Sequence, residues 1–196
     1  MTVTATPPRW AEALLHLSLQ RRDFESVSGD LLEEYRDTQL ARGRRRADLW
    51  YVRQVLGFVF RGARLWAAMF SAVFVARTAL DSFSQPADFH TRSTVSTAAG
   101  ISILVAAGLW AARRSGSFVA GAVEGLAATS IAALVSICST ACLLAVWHDP
   151  KTLAAIRDSG GLSEVFTLPI MMVLPGIVFG AIGGGVGAGI RRLHRA

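Results

Sequence analysis

The sequence predicts an all-α protein, a small helical head followed by a four-helix transmembrane bundle. Three observations carry that reading. The stretch 117–147, SFVAGAVEGLAATSIAALVSICSTACLLAVW, holds Glu124 as its single formal charge, and a bilayer core of about 30 Å asks for roughly 20 such residues. Of 196 residues, 52% are hydrophobic and 17% charged, more apolar than an ordinary soluble domain of this length. The charges also gather at the front: residues 1–64 hold eleven arginines and eight carboxylates, and the remaining two thirds hold nine basic and six acidic residues.

The head is assigned to residues 1–50 as three short helices. Thr6 followed by Pro7 and Pro8 suits a helix start, because proline is tolerated where the N–H has no partner anyway. Trp10, Leu14, Leu15 and Leu19 then make an apolar stripe. A second helix is expected over 24–41, with Phe24, Val27, Leu31 and Tyr35 recurring every three or four residues. Gly43 is its expected stop, with Arg44, Arg45 and Arg46 suiting the negative helix end. A third helix begins near Ala47 and carries Tyr51, Val55 and Val59 on one side. Three small apolar faces make a marginal core, so the head should lean on the membrane or on its neighbour.

The acidic residues Asp30, Glu33, Glu34 and Asp37 crowd one side of the second helix. A metal or acid/base pair would need other ligand types beside them. A solvated face is the plainer reading, with Arg53 or the Arg44–Arg46 cluster as the expected partner within the head.

Pro7, Pro8, Ala11, Leu14 and Leu15, then GDLLEEYR from Gly29, then RGRRRADLWYVRQVL from Arg42, together resemble the second type of permease prefix domain, found ahead of FtsX-like or MacB-like permeases. Within those runs Gly29, Asp30, Glu33, Glu34 and Tyr35, then Trp50, Tyr51, Arg53 and Gln54, are the most specific. The resemblance covers about the first 60 residues. It implies a cytoplasmic, membrane-proximal helical module with no established activity. The residues that follow do not supply a complete permease core.

Residues 51–64 mix apolar side chains with Arg53, Arg61 and Arg64 and are expected to form an amphipathic connector at the membrane surface. Four spans follow, at about 65–80, 94–112, 117–147 and 165–190, with a basic tail at 191–196. Arg77 lies near the outer end of the first span. Pro169 and Pro175 should kink the fourth on its outer half. If the head is cytoplasmic, the inner side holds the eleven arginines of 1–64 with Arg113, Arg114, Arg191, Arg192 and Arg195, sixteen of twenty basic residues. Each outer loop carries a small acidic excess. That distribution follows the positive-inside rule at every connection and puts both termini on the cytoplasmic side; the permease-prefix resemblance implies a bacterial inner membrane as the location. No cleaved export signal is expected, because the first 48 residues lack an apolar region after a basic start.

Small residues recur at spacing four: Gly121, Gly125 and Thr129 in the third span, and Gly176, Gly180 and Gly184 in the fourth, with Gly185 and Gly189 beyond. Such rows let helix backbones approach closely. They are expected to pack the third span on the fourth, or one protomer on another. Cys138 and Cys142, four residues apart, are expected to be small packing residues.

Glu124 is the candidate intramembrane acid. A proton or cation site is one reading; a structural pair with Arg113, Arg114 or Arg191, about two turns inside the cytoplasmic boundary, is the plainer one. His90 and His148 stand on separate outer loops and make no metal site by spacing. No nucleophile, base and acid constellation occurs, so neither an enzyme nor a cofactor is expected. A DNA-reading head would need a recognition helix exposing base-reading residues. Arg44–Arg46 suit phosphates, but the helix after them turns aromatic and apolar, so no nucleic-acid partner is expected. The expected partners are the bilayer and a protein, or a second copy of the chain. A small oligomeric transporter is the alternative.

Overall fold

The structure is a computed structural model that describes residues 6–83, 89–146, 167 and 169–193. Among these residues the regular elements are six helices: α1 (Arg9–Ser18), α2 (Arg21–Arg42), α3 (Arg44–Phe83), α4 (Phe89–Ser115), α5 (Phe118–Val146) and α6 (Val173–Leu193). Four of them, α3 to α6, contain stretches long and apolar enough to cross a membrane. Expected features at residues 84–88, 147–166, 168 and 194–196, including His148, lie outside the described residues, as does the side chain of His90.

The first core is built by α1, α2 and the start of α3. Ala11, Leu15, Leu31, Tyr35, Ala47, Tyr51 and Val55 are buried together, with Trp50 packed against them. Gly43 makes the α2–α3 corner in a single residue: its φ of 81°, unfavourable for any side chain, turns the chain, and its N–H donates to the Gln39 carbonyl at 2.9 Å. Arg44, Arg45 and Arg46 therefore open α3 instead of closing α2. Their charges meet the positive end of a helix, and Asp48, 4.0 Å from Arg44 one turn on, offsets part of that cost.

The largest difference from expectation is α3. The third head helix, the connector and the first span form one uninterrupted helix of 40 residues, about 60 Å at 1.5 Å per residue. A connector that lies along the surface and then turns in is not what forms. The reason is a row of small or medium residues every fourth position: Ala47, Tyr51, Val55, Val59, Ala63 and Ala67 are all buried. This row winds slowly round the helix, facing α1 and α2 first and α5 later. Val59, Ala63 and Ala67 pack on Ala127 and Ala128 of α5, and Leu14 of α1 joins them. The first three helices thus lean on the bundle through Leu14, while α3 belongs to both.

The acidic side of α2 is the solvated face expected of it, but without the expected arginine partners. Asp30, Glu33, Glu34 and Asp37 are exposed, and among the described residues none stands in an ion pair with Arg53 or with Arg44–Arg46. Leu31 and Tyr35 turn into the core, which aims the carboxylates at solvent.

Three further boundaries shift. Helix α4 starts at Phe89 and ends at Ser115, and α5 spans Phe118–Val146. In the last apolar stretch helical regularity breaks at Met172, between Pro169 and Pro175, before α6 begins. Cys138 and Cys142 are not packed between the helices: both are free and exposed on α5. Along their apolar stretches the four long helices turn large apolar side chains outward, as Leu65, Trp110, Leu134 and Ile182 illustrate, a surface suited to hydrocarbon.

Candidate functional site

Two features join the helices of the bundle, a glycine seam along α6 and a polar knot at one end. Along the seam, α6 presents two rows. Gly176, Gly180 and Gly184 face α5, where a β-carbon on any of them would collide with Thr129, the Gly121 carbonyl or the Phe118 carbonyl respectively. Gly121 and Gly125 are equally closed by the backbone of α6. The second row faces α4: Gly183 lies against the Val105 carbonyl and Gly187 against Leu109. Gly108 of α4 also meets the Gly180 carbonyl, so three helices converge at Gly180. Gly185 and Gly189 are not in either row and have open space beside them. Thr129 caps the seam internally, its hydroxyl donating to the Gly125 carbonyl at 2.7 Å.

The polar knot begins at the α4–α5 corner. Gly116, with φ of 80°, ends α4 and donates its N–H to the Ala112 carbonyl at 2.7 Å. The Ser115 hydroxyl donates to the Ala111 carbonyl and accepts from the Ser117 N–H. Arg191 of α6 reaches this end and donates to the Arg113 and Arg114 carbonyls at 3.4 and 3.5 Å, two of the four carbonyls a helix end leaves without partners.

Glu124 completes the knot. Its Oε2 lies 3.4 Å from Arg114 Nη2, with the Glu124 side chain 8% exposed and the Arg114 side chain 26%. Of the three arginines expected as partners, Arg114 makes the ion pair, Arg191 serves the α4 carbonyls, and Arg113 is exposed. Gly62 of α3 lies against the pair, with room for a β-carbon 3.6 Å from Glu124 Oε2. Among the described residues Glu124 Oε1 and Arg114 Nε are buried without a hydrogen-bond partner. The knot ties α3, α4, α5 and α6 together at one level.

The head residues singled out in the sequence divide into two groups. Tyr35 and Tyr51 meet edge to face with ring centroids 5.8 Å apart. The Tyr35 hydroxyl donates to Asp48 Oδ1 at 2.7 Å and lies 3.3 Å from the Thr6 carbonyl. Burial, and then the hydrogen bond to Asp48, push the Tyr35 phenol up to about 12. Trp50 is half-buried beside them, while Gly29, Asp30, Glu33, Glu34, Arg53 and Gln54 are exposed. Asp48, which sequence reasoning passed over, is the polar centre of this region; its i,i+4 spacing from Arg44 is the signal that was available.

Among the described residues no group of three histidine, cysteine, aspartate or glutamate side chains stands close enough to hold a metal ion. No protein family, curated protein or solved structure matches the chain.

Proposed function

We propose that this is a multi-pass protein of the bacterial cytoplasmic membrane, without enzymatic activity, that serves as an interaction component of a permease-type complex. In this reading both termini are cytoplasmic and the α1–α3 unit is the docking head. One observation carries it: α3 runs unbroken from the head core into the bundle, so a protein bound to the head is coupled to the spans by a single rigid element. The exposed motif residues Asp30, Glu33, Glu34, Arg53 and Gln54 provide a polar docking surface. The arginine distribution supports the orientation. The test is purification of the full chain in mild detergent, with mass identification of what accompanies it. Recovery of a permease subunit, lost when Glu34 is changed to lysine, supports the reading; recovery of the chain alone under several detergents overturns it.

The transporter reading is favoured by one observation, the buried Glu124 with an oxygen left unpartnered among the described residues. It requires that Glu124→Gln abolish flux in liposomes. Unchanged flux removes the residue from any pathway.

A further inference from the structure

Between residues 44 and 64, helix α3 carries one carboxylate, Asp48, and it is engaged within the head: Oδ1 accepts from the Tyr35 hydroxyl and Oδ2 lies 4.0 Å from Arg44. On the side of α3 turned away from Tyr51 and Val55, the residues Arg45, Leu49, Arg53, Leu56 and Phe60 follow at spacings of four, four, three and four, which keeps them on one face. All five are exposed, Leu49 to 71% and Phe60 to 41%. Arg46 stands at the edge of this stripe, and among the described residues none of the three arginines takes part in an ion pair. The stripe is about 23 Å long at 1.5 Å per residue. It ends two residues before Gly62, which lies against the Glu124–Arg114 pair, so it stands clear of that end of the bundle.

We infer that this face of α3 seats an acidic amphipathic helix of a protein partner, laid along α3 with its apolar side on Leu49, Leu56 and Phe60 and its carboxylates on Arg45, Arg46 and Arg53. The alternation of cation and large apolar side chain selects that occupant. A nucleic acid would pair its phosphates with the arginines but leave the leucines and the phenylalanine against a polar backbone. A lipid surface meets α3 end on and reaches only its Phe60 end. The exposed residues of α2 between 30 and 37 are all charged, so that face of a second copy offers nothing to cover the apolar residues. A helix with apolar anchors every third or fourth residue and acids beside them satisfies both parts of the stripe, and burying the three apolar side chains removes them from water. The inference deepens the docking-head reading and rests on it, by assigning the partner's docking segment a chemistry.

The experiment uses the full chain in phosphatidylcholine nanodiscs, with empty nanodiscs as the blank. The probe is a fluorescein-labelled helix of about 18 residues, leucine at every third or fourth position and glutamate beside it, long enough to cover the stripe. Fluorescence anisotropy is expected to show saturable binding that weakens as salt is raised. Arg45→Glu, Arg53→Glu should weaken it about tenfold or more, since attraction becomes repulsion, and the same helix with lysine for glutamate should bind that variant and not the unaltered chain. Leu49→Ser, Leu56→Ser, with the arginines intact, should also weaken binding about tenfold. These side chains are exposed, and unchanged helical ellipticity checks that each variant is folded. Full binding by the leucine variant overturns the inference, as does a DNA duplex that binds more tightly than the acidic helix, or no binding at all. Co-purification of two differently tagged copies, abolished by Arg53→Glu, would place a second copy on this face and overturn it too. A permease subunit that stays bound to Arg45→Glu, Arg53→Glu overturns this inference and leaves the first reading standing; probe binding as described, with no permease subunit recovered, does the reverse.

Discussion

Gly180 and Gly121 face one another so closely that a β-carbon on either would strike the backbone of the other's helix. Gly108 of α4 meets the same Gly180 carbonyl from a third direction. In hydrocarbon, where apolar side chains gain little from leaving the solvent, such close backbone approach is what holds helices together. Gly180→Ala should therefore destabilise the bundle by about 1–3 kcal/mol through overpacking. Gly185→Ala, which enters open space, should be neutral or mildly stabilising. Thermal unfolding in detergent, followed by helical ellipticity, separates the two variants. Equal midpoints for both would remove the seam from the account.

The polar knot makes a second prediction. Removing Arg114 strands a carboxylate that is almost fully buried, and breaking a buried pair from one side costs about 3 kcal/mol or more. Arg114→Met should thus lower stability well beyond Glu124→Leu, Arg114→Met, in which no charge is left behind. Gly62→Ala should be tolerated, because its methyl would stand at ordinary contact distance from the carboxylate, while Gly62→Leu should disrupt the pair. Denaturation of the four variants in one detergent gives the order directly. A double variant less stable than Arg114→Met would contradict it.

Tyr35 makes the third, in alkaline solution. Its phenol is raised from the ordinary 10 to about 12 by burial and by Asp48. The folded state therefore holds the proton more tightly than the unfolded chain does. The corresponding stability is complete below pH 10 and is lost as the pH rises from 10 through about 12. The chain has two tyrosines, so Tyr51→Phe leaves Tyr35 as the only reporter. Absorbance of the phenolate in that variant should rise with a midpoint near 12; adding Asp48→Asn should bring it down. A midpoint at the ordinary tyrosine value would show the hydroxyl open to water.

How much of this was legible beforehand differs by element. The apolar run 117–147 needed no partner to be read, since its length and lack of charge already match a span, and α5 follows within a residue at each end. The glycine rows facing α5 were visible as spacing, but Gly183, Gly187 and Gly108 were not, because which side of α6 meets α4 depends on the tertiary arrangement. Glu124 stood out as a lone charge, yet the choice of Arg114 over Arg113 or Arg191 turns on how two helices are rotated about the Gly116 corner. The continuity of α3 was missed for a physical reason: Gly57, Gly62 and three arginines dilute its apolar pattern between residues 53 and 64. The fourfold recurrence of Tyr51, Val55, Val59 and Ala63 ran through that stretch all the same.

That continuity makes the last prediction. Leu14 of α1 packs beside Val59 and Ala63 of α3 and Ala127 of α5, so the head can rest on the bundle only if α3 delivers it at one rotation. One alanine inserted after Gly57 turns everything before it by about 100° relative to the spans and carries Leu14 away from that cluster. The loss should be about 2 kcal/mol, the burial of one leucine side chain, seen as a lower midpoint of thermal unfolding and faster proteolysis between residues 18 and 24. Four inserted alanines restore the rotation to within about 40° and should recover part of the loss, although the head is lifted by about 6 Å. The substitution Gly57→Ala, which adds a methyl in open space, should instead stabilise α3 by about 0.5–1 kcal/mol. A hinged connector would absorb one residue as readily as four, so equal stability of the two insertions would mean that α3 does not act as a rod.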